Sequence, residues 1–175
     1  MTEPPDLPPD GDSEIFEVFI KGTVDAVWRE LTKTDEVQRA MFNMRMDADL
    51  EVGAPVRMRT ANGKYTGFTG EILEHDPPRR LAFTFKFTNH DDPPSRIIYE
   101  LEPVDDGVRF RMISDRMTPG TPSTKAMTKG GHMIAASLKS VIENGDVPLK
   151  TRMLYWMFKL MEPLSPARLR SENFP

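Results

Sequence analysis

No cysteine occurs in this sequence, which excludes disulfides, thiolate-held metals and cysteine nucleophiles and fits a reducing, cytoplasmic compartment. No apolar run approaches the roughly 18 residues of a spanning helix, so integral membrane insertion is not expected. Basic residues never cluster beyond a pair, and the formal charge is -4. A nucleic-acid partner, whose phosphates demand a concentrated basic surface, is therefore not expected. The three histidines, His75, His90 and His132, lie far apart and share no ligand spacing, so neither a metal site nor a cofactor is expected. His132 falls by helical phase beside Thr128 and Lys129 on a polar face and should be exposed. The N-terminus is acidic and proline-rich without the apolar stretch of a secretory signal, and residues Met1 to Asp12 are expected to form a disordered arm.

Methionine and phenylalanine are abundant instead, 12 and 10 in 175 residues, enough for one domain with a sizeable core. Glu14 to Ile20 is dense in β-branched and aromatic residues and predicts a first strand. Thr23 caps a short helix in which Val24, Val27, Trp28 and Leu31 share a face. Thr34 predicts a second short helix, with Asp35 and Glu36 in its first turn and Val37, Ala40 and Met41 following. From Asn43 the period becomes two: Met44, Met46 and Ala48 share a side, and so do Val56 and Met58 after a turn at Glu51 to Pro55. Asn62-Gly63 predicts a type I′ hairpin, and Tyr65 to His75 the returning strand, with Gly67 and Gly70 where it can bend or bulge. After the turn Asp76 to Arg80, Leu81 to Thr88 puts Leu81, Phe83, Phe85 and Phe87 on one face. Ile97, Tyr99 and Leu101, then Val108, Phe110 and Met112, repeat that alternation on either side of a hairpin signal at Asp106-Gly107. Ser114 to Ser123 predicts a loop. A long helix follows, Thr124 to Gly145, with Met127, Ile134, Leu138, Val141 and Ile142 on its buried stripe and Gly130 and Gly131 inside it. The class is α+β: a long helix across a curved antiparallel sheet, in one domain spanning residues 13–145.

The strings VDAVWRELTKTDEVQRAMF, EVGAPV, GFTGEILEHDPPRRLAFTF and KGGHMIAASLKSVIENG follow one another in that order. On them the chain resembles the START-like or SRPBCC superfamily, and within it the domain shared by homologues of the heat-shock-chaperone ATPase activator. The matching positions are Val27-Trp28, Val52-Gly53, Gly70-Glu71, Asp76-Pro77-Pro78 and Gly131, within Ile15 to Gly145. His132 departs from the tryptophan that many relatives carry there. The resemblance implies a helix-grip fold, in which about seven antiparallel strands wrap the long helix and leave a largely apolar cavity. It also implies a chaperone as a partner, or cyclase- or hydratase-like chemistry as in enzymatic members.

The inward residues Met44, Met46, Met58, Phe68, Phe83, Phe85, Tyr99, Phe110, Met112, Met127 and Ile134 would line such a cavity or fill it as core, with Phe87 beside them. Gly130 and Gly131 belong to the same site. A glycine inside a helix costs roughly 1 kcal/mol relative to alanine, so close packing against the sheet or room for a ligand must compensate. Interior polar groups are few, Tyr99 and Ser114, with Glu74 and Arg116 at the mouth. No carboxylate pair or nucleophile with its base emerges, so acid-base chemistry lacks its parts. The leading expectation is non-catalytic binding of a hydrophobic small molecule or lipid-like ligand, with a co-chaperone module and a superfamily enzyme as alternatives. Beyond Gly145, Leu149 to Met161 reads as a helix apolar nearly all round. Docking onto its own domain, a homodimer interface and a membrane-surface anchor, the last with Lys150, Arg152 and Lys159, all stay open. Ser165 to Pro175 is expected to be a loosely ordered tail.

Overall fold

The alternating middle of the chain is realised as strands β1 (Asp12–Ile20), β2 (Arg45–Ala48), β3 (Pro55–Arg59), β4 (Thr66–Asp76), β5 (Arg80–Phe87), β6 (Ser95–Val104) and β7 (Gly107–Met117). The computed structural model describes residues 7–8 and 10–175. The seven strands form one antiparallel sheet in the order β1-β7-β6-β5-β4-β3-β2. Helices α1 (Val24–Thr32), α2 (Pro122–Asn144) and α3 (Leu149–Met161) complete the helix-grip fold, with α2 packed on β1 and β7.

The register explains what the inner face offers. Phe16, Met112, Tyr99 and Leu81 stand opposite one another across four strands, and Ile97 lies between Ser114 and Phe83 in a parallel row. All are buried, so the aromatic and methionine residues form one continuous surface beneath α2. The outer face carries the complementary pattern. Glu74, Arg80, Glu100 and Arg111 form a cross-strand ladder of ion pairs, with Arg80 to Glu74 at 2.8 Å and Arg111 to Glu100 at 2.7 Å. Glu74 therefore sits on the outer face and not at a cavity mouth.

Gly67 and Gly70 are where the sheet bends. Met58 faces Phe68 but Arg59 faces Thr66, leaving Gly67 as the extra residue of a bulge. At Gly70 an added Cβ would come within 1.7 Å of the Thr84 carbonyl oxygen, so the strands approach too closely there for a side chain.

Several expectations are corrected. The second short helix from Thr34 does not form, because its backbone is committed elsewhere. The Gln38 N–H donates to Met44 O at 2.7 Å, the Gln38 side chain donates to Leu31 O and Lys33 O, and Ala40 N donates to Glu30 Oε1. Phe42 and Asn43 then take left-handed φ values of 55° and 58°. Asn62-Gly63 is not a two-residue hairpin either. Only Gly63 has positive φ, and Thr60 Oγ1 bonds to Asn62 and Tyr65 N, holding a wider turn. The long helix begins two residues early, since Thr121 caps it through Thr124 N and Pro122 fits its first turn; Gly145, at φ 81°, ends it as expected. Residues Ser114 to Met117 belong to β7 and not to a loop.

The N-terminal arm falls largely on residues 1–6 and 9, which lie outside the described residues; Leu7 is buried, and Arg116 donates to Pro8 O at 3.5 Å, away from the cavity. Helix α3 has the expected bounds, yet none of its residues is buried. The tail is bonded to the domain: Ser171 N donates to Lys64 O at 2.9 Å and Arg59 Nη2 to Phe174 O at 3.0 Å.

Candidate ligand-binding site

Between the sheet and α2 lies a cavity of about 500 Å³. Phe68, Phe83, Phe85 and Phe87 form its aromatic floor, with Tyr99, Ile97 and Met112 on the neighbouring strands; Ala126, Met127, Gly130 and Ile134 of α2 form the roof. The aromatic rings brace one another. Phe68 and Phe85 are 4.4 Å apart between centroids, Phe85 meets Phe87 edge-on at 4.6 Å, and Phe83 meets Tyr99 edge-on at 5.5 Å. Such mutual packing keeps the rings from collapsing into the space they enclose.

Of the residues expected at the site, Met44, Phe68, Phe83, Phe85, Tyr99, Met112, Met127, Gly130 and Ile134 are brought together around this one space. Met46, Met58, Phe110 and Gly131 are not. Met46 and Met58 pair with each other across β2 and β3 and are buried as core. Phe110 packs against Tyr99 at 5.8 Å without reaching the cavity. Facing inward was necessary for lining, but the curvature of the sheet decides how far along each strand the gap extends.

The two glycines of α2 part company. A methyl on Gly131 would stand 2.4 Å from the ring of Phe16, whereas one on Gly130 would meet only Phe42 Cζ, at 3.7 Å. The first is compensated by close packing and the second opens onto the cavity.

The polar side chains around this space are few, and the threonines among them are committed. Thr88 Oγ1 donates to Thr66 O and Gly67 O, and Thr66 Oγ1 meets Arg59 and Ser171. Tyr99 is fully buried and weakly partnered: its hydroxyl donates only a weak 3.7 Å bond to Met41 Sδ. Burial pushes this phenol well above the ordinary tyrosine value, so it stays protonated and able to donate. No charged residue or histidine lines the cavity among the described residues. Ser114 is buried without a hydrogen-bond partner among the described residues, but it does not line the space. His132 is exposed beside β1, its ring edge-on to Phe16 at 4.9 Å and its Nε2 3.9 Å from Glu14.

The mouth was not foreseen. Met41 and Phe42 from the turn after α1, Tyr65 from the start of β4, Phe158 from α3 and Leu169 from the tail surround it. Phe42 is held there by α3: its N–H donates to Tyr155 Oη at 3.2 Å, and Tyr155 Oη donates to Arg39 O at 3.0 Å. A wider groove of about 940 Å³ between α3 and the body joins the cavity at Phe42, Met44, Thr60, Phe158 and Ser165. In the sequence, the two left-handed residues Phe42-Asn43 carry no glycine signal, and nothing local couples Tyr65 to Arg170, although a bridge joins them.

The family model described as Activator of Hsp90 ATPase homolog 1-like protein matches residues 21–143. No curated protein matches the chain in sequence. Among solved structures, protein MLL2253 from Mesorhizobium loti is similar at 20% identity and TM-score 0.64, over 78% of this chain and 100% of that one. The Aha1 dimer from Colwellia psychrerythraea is similar at 16% identity and TM-score 0.63, over 77% and 98%. PFC0360w, an HSP90 activator from Plasmodium falciparum, is similar at 17% identity and TM-score 0.51, over 64% and 77%. At these identities the likeness is one of fold.

Proposed function

We propose that this chain, which belongs to the Activator of Hsp90 ATPase homolog 1-like family, binds an apolar small molecule non-catalytically in the cavity beneath α2. The observation that carries this reading is the lining itself. About 500 Å³ is lined mainly by phenylalanine, methionine and aliphatic side chains with no charged group among the described residues, while Tyr99 holds a hydroxyl without a strong partner. A space of this size and character suits a compact hydrophobic or lipid-like molecule with one polar atom placed to meet Tyr99. Methionine at positions 41, 44, 112 and 127 lets the wall repack around different shapes. The cytoplasm is the compartment that goes with this reading.

The test is displacement of an environment-sensitive apolar dye by a broad panel of hydrophobic compounds, with native mass spectrometry of the purified protein. Saturable dye uptake, lost when the cavity is filled by substitution, is expected. Absence of any bound or displaceable ligand across the panel ends the reading.

A second reading, a co-chaperone module, is favoured by the family match and by the likeness in fold to PFC0360w, an HSP90 activator. It predicts a raised chaperone ATPase rate on adding the protein. An unchanged rate over a full titration removes it.

A further inference from the structure

Helix α3 is held on one side and bare on the other. Thr151, Leu154 and Tyr155 are half-buried toward the body, and Tyr155 makes the two bonds to the Arg39–Phe42 turn. With 3.6 residues per turn, Leu149, Met153, Trp156 and Leu160 fall along a single line opposite these, with Trp156 at its edge, where it also lines the groove against the body. They are 63%, 65%, 64% and 59% exposed, so the described chain leaves this row largely bare. A contiguous apolar row of this kind marks an interaction surface.

The charges beside the row say what it fits. Lys150 lies on one flank and Arg152 and Lys159 on the other, and α3 has no acidic residue, although the whole chain carries a formal charge of -4. Arg152 is paired with Asp146 at 3.1 Å, whereas Lys150 and Lys159 make no ion pair among the described residues. A helix with an apolar row, a tryptophan on it and lysines along both flanks matches an anionic bilayer surface. The row sinks to the acyl boundary while the lysine stems reach back to the phosphates. A second copy fits less well. A two-fold contact along α3 would set Lys150 and Lys159 against cationic counterparts with no carboxylate on either helix.

We propose that α3 docks the protein onto an anionic membrane surface, lying in the interface and not spanning it. At 13 residues it is too short to cross, and no helix of the described chain is long and apolar enough to do so. Phe158 of the same helix lines the cavity mouth. Docking therefore brings that mouth within one helix diameter, about 10 Å, of the inserted row and makes a bilayer-dissolved, lipid-like molecule the ligand class; this last step rests on the cavity reading.

Vesicle flotation tests the docking. The full chain is mixed with vesicles of phosphatidylcholine alone or of phosphatidylcholine with phosphatidylserine. The wild type is expected to float with the anionic vesicles and much less with the neutral ones. K150Q/K159Q should weaken that binding about 30-fold, the loss of two surface cations. M153E/L160E should abolish it while keeping the wild-type circular dichroism and dye uptake in vesicle-free solution, because both side chains are exposed and lie outside the cavity. Failure of the wild type to float, or undiminished flotation of M153E/L160E, overturns the proposal. So does a wild-type dimer in sedimentation equilibrium that M153E/L160E dissolves and that never floats, since a second copy then covers the row. Flotation without dye uptake sinks the cavity reading and supports docking; dye uptake without flotation sinks docking alone.

Discussion

Gly131 of α2 lies directly over the ring of Phe16 in β1, so closely that a methyl group on its Cα would stand 2.4 Å from two ring carbons. One residue earlier, Gly130 faces the cavity with only Phe42 Cζ in reach, at 3.7 Å. Two adjacent glycines in one helix thus serve opposite ends, the first letting helix and sheet touch and the second keeping them apart.

That contrast gives opposite signs to one chemical change. Gly131→Ala is expected to destabilise by about 1–3 kcal/mol, because Phe16 is itself buried and has nowhere to move. Gly130→Ala should gain up to about 1 kcal/mol from helix propensity, its methyl making ordinary contact. Urea unfolding of both variants decides this, and two changes of the same sign would contradict the packing described.

Filling the cavity should separate binding from stability. Ala126 is half-buried on the roof, so Ala126→Trp can place its ring in the existing space. Loss of dye uptake with little change in Tm is expected. Phe83→Ala is the converse case, costing about 3–5 kcal/mol as a buried ring is removed from the floor. If Ala126→Trp leaves dye uptake intact, the dye binds elsewhere.

The link between α3 and the mouth runs through the Tyr155 hydroxyl as well as its ring, 6.0 Å from that of Phe42. Tyr155→Phe leaves Phe42 N and Arg39 O to water and is expected to cost about 0.5–1.5 kcal/mol. Because Phe42 borders the mouth, dye exchange should quicken as well, read by stopped-flow displacement. Unchanged exchange would mean that α3 does not hold the mouth.

Alkaline pH offers a test of burial. The folded state holds the Tyr99 phenol above its ordinary value because burial penalises the phenolate. The stability from keeping it neutral is complete below the unfolded value of about 10 and is lost as pH rises beyond it, since only the unfolded chain then releases the proton. Denaturation midpoints should fall more steeply above that pH in the wild type than in Tyr99→Phe. Equal slopes would place Tyr99 in contact with water. Tyr155 is also shifted upward by burial, against the pull of its bond from Phe42 N, so the variant should keep part of the slope.

The periodicity of the chain carried most of the architecture. Phe83, Phe85, Tyr99, Phe110 and Met112 alternate with polar residues, and a period of two leaves a strand only one way to bury them. The bounds of α3 were legible for a similar reason, with Pro148 before it and an unbroken helical pattern after. The second short helix misled because Gln38 and Glu30 bond the turn's backbone from a distance, and local propensity cannot register such partners.

By itself, then, the sequence determined a long helix across an antiparallel sheet and the inward face of each strand, since both follow from repeats of two and of 3.6 residues, while the helix-grip arrangement was what the resemblance implied. Only the tertiary structure decided which inward residues border open space, separating Met44 from Met46 and Gly130 from Gly131. It also decided that Leu149, Met153 and Leu160 of α3 are left exposed. Sheet curvature and helix placement are set by contacts between residues remote in the chain, and no local pattern encodes them.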